Sequence, residues 1–272
     1  MYVIDVSLDN TFSHSMSLNV SANLLSILTL TSAFLLVGCA SAPLSGVGGN
    51  TMVSLVSHNG LAYEQAPAGA IDKPDLRIGD RWVYKQTEIV IGTKTPLVSV
   101  YSQTVTKVNG DRIELRQIAT DKTGRIEQGS AKIRRFNRAT MEIESLLKLD
   151  GEVKPLEFPL QLGNQWRYAY QTNQPTVGTT SYTFAAVVKG LVNVASGEPV
   201  SLLVEHQGAW KRQGLERNKP KLIEGTAVQR YWYSPDVGNF VKTQLIRYKA
   251  DNSIESELTT ELIRADVGAL RL

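Results

Sequence analysis

Apolar and polar residues alternate with a period of two along most of the chain after residue 80. In Ser253–Leu262 the even positions carry Ile, Ser, Leu, Thr and Leu, while glutamates and a threonine fill the odd positions from 255. Arg112–Ile118 alternates in a similar way. This period is typical of β-strands with one buried face, because successive side chains point to opposite faces of a sheet. Further strands are predicted over Arg81–Ile91, Leu97–Val108, Arg125–Asn137, Gln165–Thr172, Thr179–Val188, Val200–Lys211, Thr226–Tyr233 and Phe240–Lys249.

Turn-forming residues separate these segments. Asn109-Gly110-Asp111 predicts a tight hairpin, and Lys122-Thr123-Gly124, Ser196-Gly197 and Pro235–Gly238 predict further turns. Consecutive strands on short turns predict an all-β fold, an antiparallel meander that forms a strongly curved sheet or a partly open barrel. For Ala139–Leu149 a short helix is the alternative.

A nine-residue motif occurs twice, 84 positions apart. Leu76-Arg-Ile-Gly-Asp-Arg-Trp-Val-Tyr84 returns as Leu160-Gln-Leu-Gly-Asn-Gln-Trp-Arg-Tyr168, with Leu, Gly, Trp and Tyr at matching positions. The spacing is too long for a solenoid repeat. It predicts a single β domain over residues 75–266, built from two similar halves at about 75–150 and 160–266.

The first quarter of the chain differs from the rest. No charged residue lies between Asp9 and Glu64, and Leu24–Gly38 is an apolar stretch of signal-peptide length. Leu36-Val37-Gly38-Cys39 resembles the bacterial lipobox, in which signal cleavage after a small residue leaves a diacylglyceryl cysteine as the new N-terminus. Cys39 is the only cysteine in the chain. This resemblance predicts a lipoprotein signal peptide over residues 1–38, cleavage between Gly38 and Cys39, and a lipid-anchored flexible tether over residues 39–74.

Two other interpretations of this segment remain open. Leu18–Ala40 is long enough for a transmembrane helix, and an ordinary cleaved signal is the other alternative. No basic residue flanks the stretch, whether translation starts at Met1 or at Met16. Acyl chains on Cys39 would bind the protein to the membrane, and an envelope protein would be a further partner. By resemblance to known lipoprotein sorting rules, Ala40 rather than an aspartate directly after Cys39 favours the outer membrane, with the domain facing the periplasm or the cell surface.

Composition excludes several classes of function. The net charge of +3 is too small to indicate nucleic-acid binding. No metal-ligating or phosphate-loop motif occurs, so no cofactor or metal is predicted. A serine catalytic triad would have to use His206, which lies in a predicted strand. The sequence also has no Gly-x-Ser-x-Gly nucleophile-elbow motif for such a triad. The carboxylate pairs Glu142/Glu144 and Glu255/Glu257 are interpreted as solvated strand faces.

Two groups of side chains are candidates for ligand contacts. The aromatic residues either form the core or line a ligand cavity; they are Trp82, Tyr84, Trp166, Tyr168 and Trp232. Arg134, Arg135 and Arg138 either contact an anion or solubilise a strand edge.

Three segments resemble a known group of proteins. They are Gly79–Tyr84, then Phe158-Pro159-Leu160 with Gly163 and Trp166, and finally Trp232–Lys242. Together they resemble TapB-like bacterial envelope lipoproteins and a related domain family of unknown function, over about residues 75–262. Ala195–Pro199 departs from the group's usual turn. The resemblance implies a fold and carries no catalytic residues over to this chain.

The leading hypothesis is a lipid-anchored, non-enzymatic envelope protein that binds a partner protein or supports assembly. A carrier or sensor that holds an apolar ligand, such as a lipid, inside the curved sheet is the alternative. A hydrolase is the third hypothesis.

Overall fold

A computed structural model describes residues 69–90, 95–144, 148–174, 178–192, 200–216 and 219–268. These residues form twelve β-strands. Their bounds are β1 Arg81–Val90, β2 Leu97–Asn109, β3 Arg112–Thr120, β4 Glu127–Asn137, β5 Glu142–Ile143, β6 Lys148–Gly151, β7 Gln165–Gln174, β8 Gly178–Val192, β9 Ser201–Glu216, β10 Lys219–Ser234, β11 Asn239–Lys249 and β12 Ile254–Asp266.

All twelve strands belong to one antiparallel sheet with the order β5-β4-β3-β2-β1-β12-β11-β10-β9-β8-β7-β6. Neighbours in the sheet are consecutive in the chain, except that β1 pairs with β12. We call β1–β5 the first strand group and β6–β12 the second strand group. The sheet is strongly curved and is not closed into a barrel. The predicted all-β antiparallel meander is confirmed.

The helical alternative for Ala139–Leu149 is wrong. Residues 138–141 form a turn, β5 follows at once, and β6 starts at Lys148; the described part of the chain contains no helix. Strands of two and four residues are too short to show a period, so sequence alternation missed both. None of the described residues belongs to a helix able to cross a membrane.

Other differences from the sequence prediction are small. β10 starts at Lys219, seven residues before the predicted start, because Pro and Gly interrupt the alternation there. The predicted turns after β2 and β10 are confirmed, and Gly110-Asp111 forms a two-residue loop between Asn109 and Arg112. The predicted turn at Ser196-Gly197 lies outside the described residues.

The first copy of the repeated motif folds as a tight turn before β1. The amide of Asp80 donates to the carbonyl of Arg77 at 3.0 Å. Gly79 has φ of 97°, a conformation that side chains other than glycine rarely adopt. Its amide donates to Val105 of β2 at 2.9 Å, and the amide of Val105 donates to Asp80 at 2.8 Å. The turn is thus fixed to the neighbouring strand.

The second copy has the same backbone hydrogen bonds before β7. Asn164 donates to Gln161 at 3.0 Å, Gly163 donates to Val188 of β8 at 2.9 Å, and Val188 donates to Asn164 at 3.0 Å. Gly163 has φ of 82°. The likeness of the two motifs therefore extends from sequence to local backbone structure.

Side chains are buried on both faces of the sheet, as at the successive residues Leu202, Leu203 and Val204 of β9, and an irregular segment at residues 152–164 covers part of this core. Leu156 and Leu160 of this segment are fully buried. Leu156 donates to the carbonyl of Thr140 at 3.0 Å, and Leu160 forms an isolated bridge with Ile71. Phe158 packs edge-on against Tyr233 with ring centres 5.4 Å apart. The segment brings apolar side chains to the strands that it covers.

Candidate functional site

The predicted lipidation site lies outside the described residues. Gly38, Cys39 and the tether as far as residue 68 belong to that part of the chain. The anchor thus stays a prediction of the sequence.

The aromatic residues of β1 pack in the core. Trp82 is fully buried, and its Nε1 donates to the carbonyl of Val237 at 3.1 Å. The hydroxyl of Tyr84 donates to the carbonyl of Phe240 at 3.1 Å. These bonds fix β1 to the β10–β11 turn and the start of β11, so both rings have structural partners.

The aromatic residues of the second strand group are also largely buried. Nε1 of Trp166 donates to the carbonyl of Lys154 at 2.9 Å, and Trp166 is 8% exposed. Tyr168 stacks against Phe184 with ring centres 5.5 Å apart. Trp232 is 5% exposed, and the ammonium of Lys242 lies 5.8 Å from its ring centre.

A small cavity reaches Tyr84 between β1–β2 and β11–β12. Its volume is about 40 Å³, and Tyr101, Met141, Phe240 and Thr260 also line it. Sites for drug-sized ligands usually have volumes of about 300 Å³ or more. This packing does not support a role for the five candidate aromatic residues in holding a lipid.

His206 is enclosed by aromatic rings. Its Nδ1 lies 2.7 Å from the hydroxyl of Tyr168, and its ring centre is 4.9 Å from that of Tyr231 and 5.7 Å from that of Trp166. Burial lowers the pKa of His206 from 6.5 to about 3, although a backbone hydrogen bond with Pro155 opposes the shift. His206 is thus neutral at physiological pH and fully buried, so it is poorly placed to act on a substrate.

The three candidate anion contacts do not form one site. Arg134 and Arg135 are neighbours on β4, so their side chains point to opposite faces of the sheet. Arg135 pairs with Glu144 at 3.6 Å, and Arg138 pairs with Asp111 at 3.3 Å. Beside β4, the edge strand β5 covers only Phe136 and Asn137.

The part of β4 that β5 and Glu144 leave uncovered ends before Arg135 and carries Lys132 and Arg134. Lysine and arginine on exposed strand edges deter edge-to-edge pairing between molecules. The position of these residues agrees better with edge protection than with a joint anion site.

A charged depression of about 370 Å³ lies over β2, β3 and β4. It is lined by Lys107, Asn109, Arg112, Ile113, Glu114, Arg135 and Glu144. The register of β2 and β3 shifts between Val105 and Lys107, which sets Lys107 opposite Glu114. Glu114 in turn faces Arg135, and the amide of Glu144 donates to the carbonyl of Arg135 at 2.8 Å. Positive and negative side chains therefore alternate across the depression.

The ion pairs of this depression are loose and accessible. Lys107 Nζ lies 3.8 Å from Glu114 Oε1, and Arg135 Nη1 lies 3.6 Å from Glu144 Oε2. The four side chains are 42–74% exposed. Exposed pairs of this kind contribute about 0–1 kcal/mol to stability. A partner can replace such contacts at little loss, so the charges are available for binding.

A second ion cluster lies in the second strand group and is largely buried. Glu255 accepts from Arg212 at 2.7 Å and lies 3.3 Å from Arg247, and the three side chains are 12–20% exposed. Arg247 Nη1 donates to the hydroxyl of Tyr182 at 3.3 Å. The guanidinium of Arg212 lies 5.2 Å from the ring centre of Trp210.

This cluster corrects the interpretation of Glu255/Glu257 as a solvated pair. The register of β11 and β12 shifts between Arg247 and Tyr248, leaving Glu255 without a paired residue, and its carboxylate contacts two arginines. Simple alternation cannot predict such a bulge. Glu142 is 8% exposed, so the solvated interpretation of Glu142/Glu144 is also wrong for its first member.

Metal ligation has no support in the described ranges, where no group of three or more His, Cys, Asp or Glu side chains is arranged to hold an ion.

Comparison with known proteins yields only distant structural likeness. No family model and no curated protein matches the chain. A candidate exported protein from Bacteroides fragilis, described as having a YmcC-like fold, aligns over 73% of this chain and 100% of its own, with 13% identity and a TM-score of 0.41.

Two further solved structures also align with this chain, one with a similar TM-score and one with a lower TM-score. A candidate lipoprotein from Parabacteroides distasonis aligns over 72% of this chain and 99% of its own, with 13% identity and a TM-score of 0.40. The hypothetical lipoprotein YmcC from Escherichia coli aligns over 67% and 84%, with 6% identity and a TM-score of 0.32. Likeness at this level supports no inference about function.

Proposed function

We propose that the protein is a non-enzymatic lipoprotein of the bacterial envelope that binds a partner protein through its β domain. In this proposal residues 1–38 are removed, acyl chains on Cys39 hold the protein in the membrane, residues 39–74 form a tether, and residues 75–266 form the binding domain. The sequence resemblance to TapB-like envelope lipoproteins supports this arrangement.

The proposed anchor is supported by the sequence around Cys39. The only cysteine follows Leu36-Val37-Gly38 at the end of an apolar run. A thiol in that setting has no second cysteine for a disulfide. Ala40 favours transport to the outer membrane, with the domain in the periplasm, and exposure at the cell surface is the alternative.

The charged depression is the observation that carries the proposed binding role. Its charges alternate in sign across four neighbouring segments, and each is more than a third exposed. A partner with the opposite order of charges would gain complementary contacts, which give specificity and favour encounter. The buried state of His206 supports a non-enzymatic role.

The carrier hypothesis has less support. The aromatic side chains that would line its cavity are at most 8% exposed, and the space beside Tyr84 is about 40 Å³. Native mass spectrometry of the purified protein tests this point. A lipid retained in the β domain at stoichiometric amount would favour the carrier hypothesis.

Intact-mass and peptide mass spectrometry of the mature protein tests the anchor. In the wild type we expect an N-terminus at Cys39 that carries acyl mass, and in the Cys39→Ser variant an uncleaved leader without acyl mass. An intact leader in the wild type, or cleavage elsewhere, would contradict the proposal.

Capture of the partner tests the binding role. We expect the charge reversals Glu114→Lys and Arg135→Glu to abolish co-isolation of the partner without unfolding the domain. The matched control is Lys211→Glu, since Lys211 forms an exposed pair with Glu224 on β9 and β10. Equal loss in the control would show that the depression has no special role.

A further inference from the structure

The repeated motif presents a large aliphatic side chain to solvent in both copies. Ile78 is 70% exposed, and Leu162, at the matching position, is 49% exposed. Two positions earlier, Leu76 and Leu160 are 4% and 0% exposed. Each motif therefore buries one leucine and exposes one aliphatic residue at its turn.

The backbone holds these two side chains at turn tips. Ile78 precedes Gly79 in a four-residue turn closed by the hydrogen bond from Asp80 to Arg77. A positive φ at the third residue is the mark of a type II turn, which leaves the second residue at the tip. The carboxylate of Asp80 also accepts from the amide of Arg77 at 2.7 Å. These bonds hold Ile78 at the tip, and the equivalent backbone bonds of Asn164 and Gly163 hold Leu162.

Both tips lie at the same end of the strands. Six antiparallel pairings lead from β1 through β12 to β7, so β1 and β7 run in the same direction. Each turn directly precedes one of these strands. The end of the sheet where β1 and β7 start therefore carries both exposed side chains.

The described chain also begins at this end. Ile71 and Leu160 exchange two backbone hydrogen bonds of 2.8 Å, which places Ile71 two residues from the tip at Leu162. Thirty residues separate Cys39 from Gly69 (69 − 39). A flexible chain of that length spans only about 30 Å on average. An anchor on Cys39 would thus hold this end of the domain close to the membrane.

From this placement we propose that Ile78 and Leu162 insert into the lipid surface in which the Cys39 anchor is embedded. The inference rests on the anchor in the proposed function. Transfer of an aliphatic side chain from water to an apolar phase is favourable, and two such contacts on fixed turns orient the domain. The charged depression, at the same end of β2 and β3, then faces partners close to the membrane surface.

Single-cysteine spin labelling tests this orientation, because acylation occupies the one natural thiol. Ile78→Cys, Leu162→Cys and the control Leu222→Cys are labelled in the acylated mature protein, which starts at Cys39, in phosphatidylethanolamine–phosphatidylglycerol vesicles. Leu222 is 56% exposed and lies at the opposite end of the sheet, near the start of β10. We expect labels at 78 and 162 to collide more with oxygen than with a water-soluble nickel chelate, and the label at 222 to show the reverse.

Two results would overturn the inference: tip labels as accessible to nickel as the label at 222, or a label at 222 immersed in lipid. Either result on a protein with acyl mass at Cys39 leaves the anchor intact and removes only the orientation. Lack of acyl mass would contradict the proposed function instead.

A second measurement needs no acylation: it follows vesicle binding of the chain from residue 39 onward with Cys39→Ser, which has neither the leader nor an acyl chain. Replacing Ile78 or Leu162 by Ser should lower its partition into the same vesicles about tenfold each. Unchanged partition would contradict insertion.

Discussion

The two strand groups contain the same Gly-Trp-Tyr motif, yet the strands that follow it differ. In the second strand group β8, β9 and β10 have 15 or 16 residues, whereas β2, β3 and β4 of the first have 9 to 13. Rings also stack along the second group, where Tyr170 and Tyr182 have centres 4.9 Å apart. The motif thus precedes the first long strand of each group, β1 or β7. The strands that follow it differ between the groups in length and in ring packing.

Among the described residues, ion pairs in which both side chains are at most 20% exposed lie only in the second strand group. In the second strand group Arg230 and Glu205 are 2.9 Å apart, with side chains 17% and 15% exposed. In the first, Lys107 and Glu114 are 3.8 Å apart and 62% and 42% exposed. We infer that the second group mainly stabilises the sheet, while the first presents charges to a partner.

The largest expected effect concerns Gly225, at the centre of the second strand group. Trp210 crosses β10 at this point, and its Nε1 lies 3.2 Å from the carbonyl of Thr226 and 3.1 Å from that of Tyr248. A Cβ at position 225 would clash with the Tyr248 carbonyl and lie 3.0 Å from Nε1. Gly225→Ala should therefore lower the free energy of unfolding by about 3 kcal/mol, measured by urea denaturation.

The control for that change is Gly69→Ala, because no atom lies within 4 Å of a Cβ at Gly69. It should leave stability almost unchanged. Similar urea midpoints for the two variants would contradict the account of Trp210 packing.

A smaller effect is expected from neutralising Glu255. Glu255→Gln removes the carboxylate that lies between Arg212 and Arg247 in a largely buried cluster. Loss of one partner of a buried ion pair is strongly destabilising, and with 12–20% exposure we expect about 2–3 kcal/mol. Urea denaturation at pH 7 measures the change.

The matched variant in the first strand group is Glu114→Gln. Its pair with Lys107 is well exposed, so the loss should not exceed about 0.5 kcal/mol. Equal losses at Glu255 and Glu114 would show that the two groups do not differ as proposed.

The third effect depends on pH and on His206. Its pKa is about 3 in the folded protein and near 6.5 when unfolded. Below pH 6.5 the unfolded chain takes up a proton that the folded chain does not, so stability falls as pH drops from 6.5 towards 3. Between pH 7 and pH 5 the loss should be about 2 kcal/mol.

Urea denaturation of the wild type and of His206→Gln at both pH values isolates this effect. The variant should lose less stability than the wild type between pH 7 and pH 5, since its amide does not titrate. Parallel losses would mean that His206 is not the responsible group.

The sequence predicts β3, β7 and β8 well because each of these strands has one buried and one wetter face. The alternation in Arg112–Ile118 appears as buried Ile113 and Leu115 between more exposed charges. Such period-two burial is a local property that residue order records directly. The two short strands and the bulge at Glu255 depend on contacts between strands, so alternation could not predict them.

The candidate site was harder to predict for the same reason. Lys107, Glu114, Arg135 and Glu144 come from four segments, and a register shift in β2 aligns the first two. Of these four, only Arg135 was a candidate for ligand contacts from the sequence, as part of a basic cluster, and Glu144 was interpreted as part of a solvated strand face. The packing of the aromatic residues likewise follows from tertiary contacts that the order of residues does not reveal.

Site-specific photo-crosslinking in living cells tests the division between the two strand groups most directly. A photoreactive residue replaces Arg112 in the charged depression, or Gln207, which is exposed on β9 of the second strand group. The account predicts a discrete adduct with another envelope protein from position 112, lost on Glu114→Lys, and no adduct from position 207. Equal adducts from both positions, or an adduct from 207 alone, would contradict it.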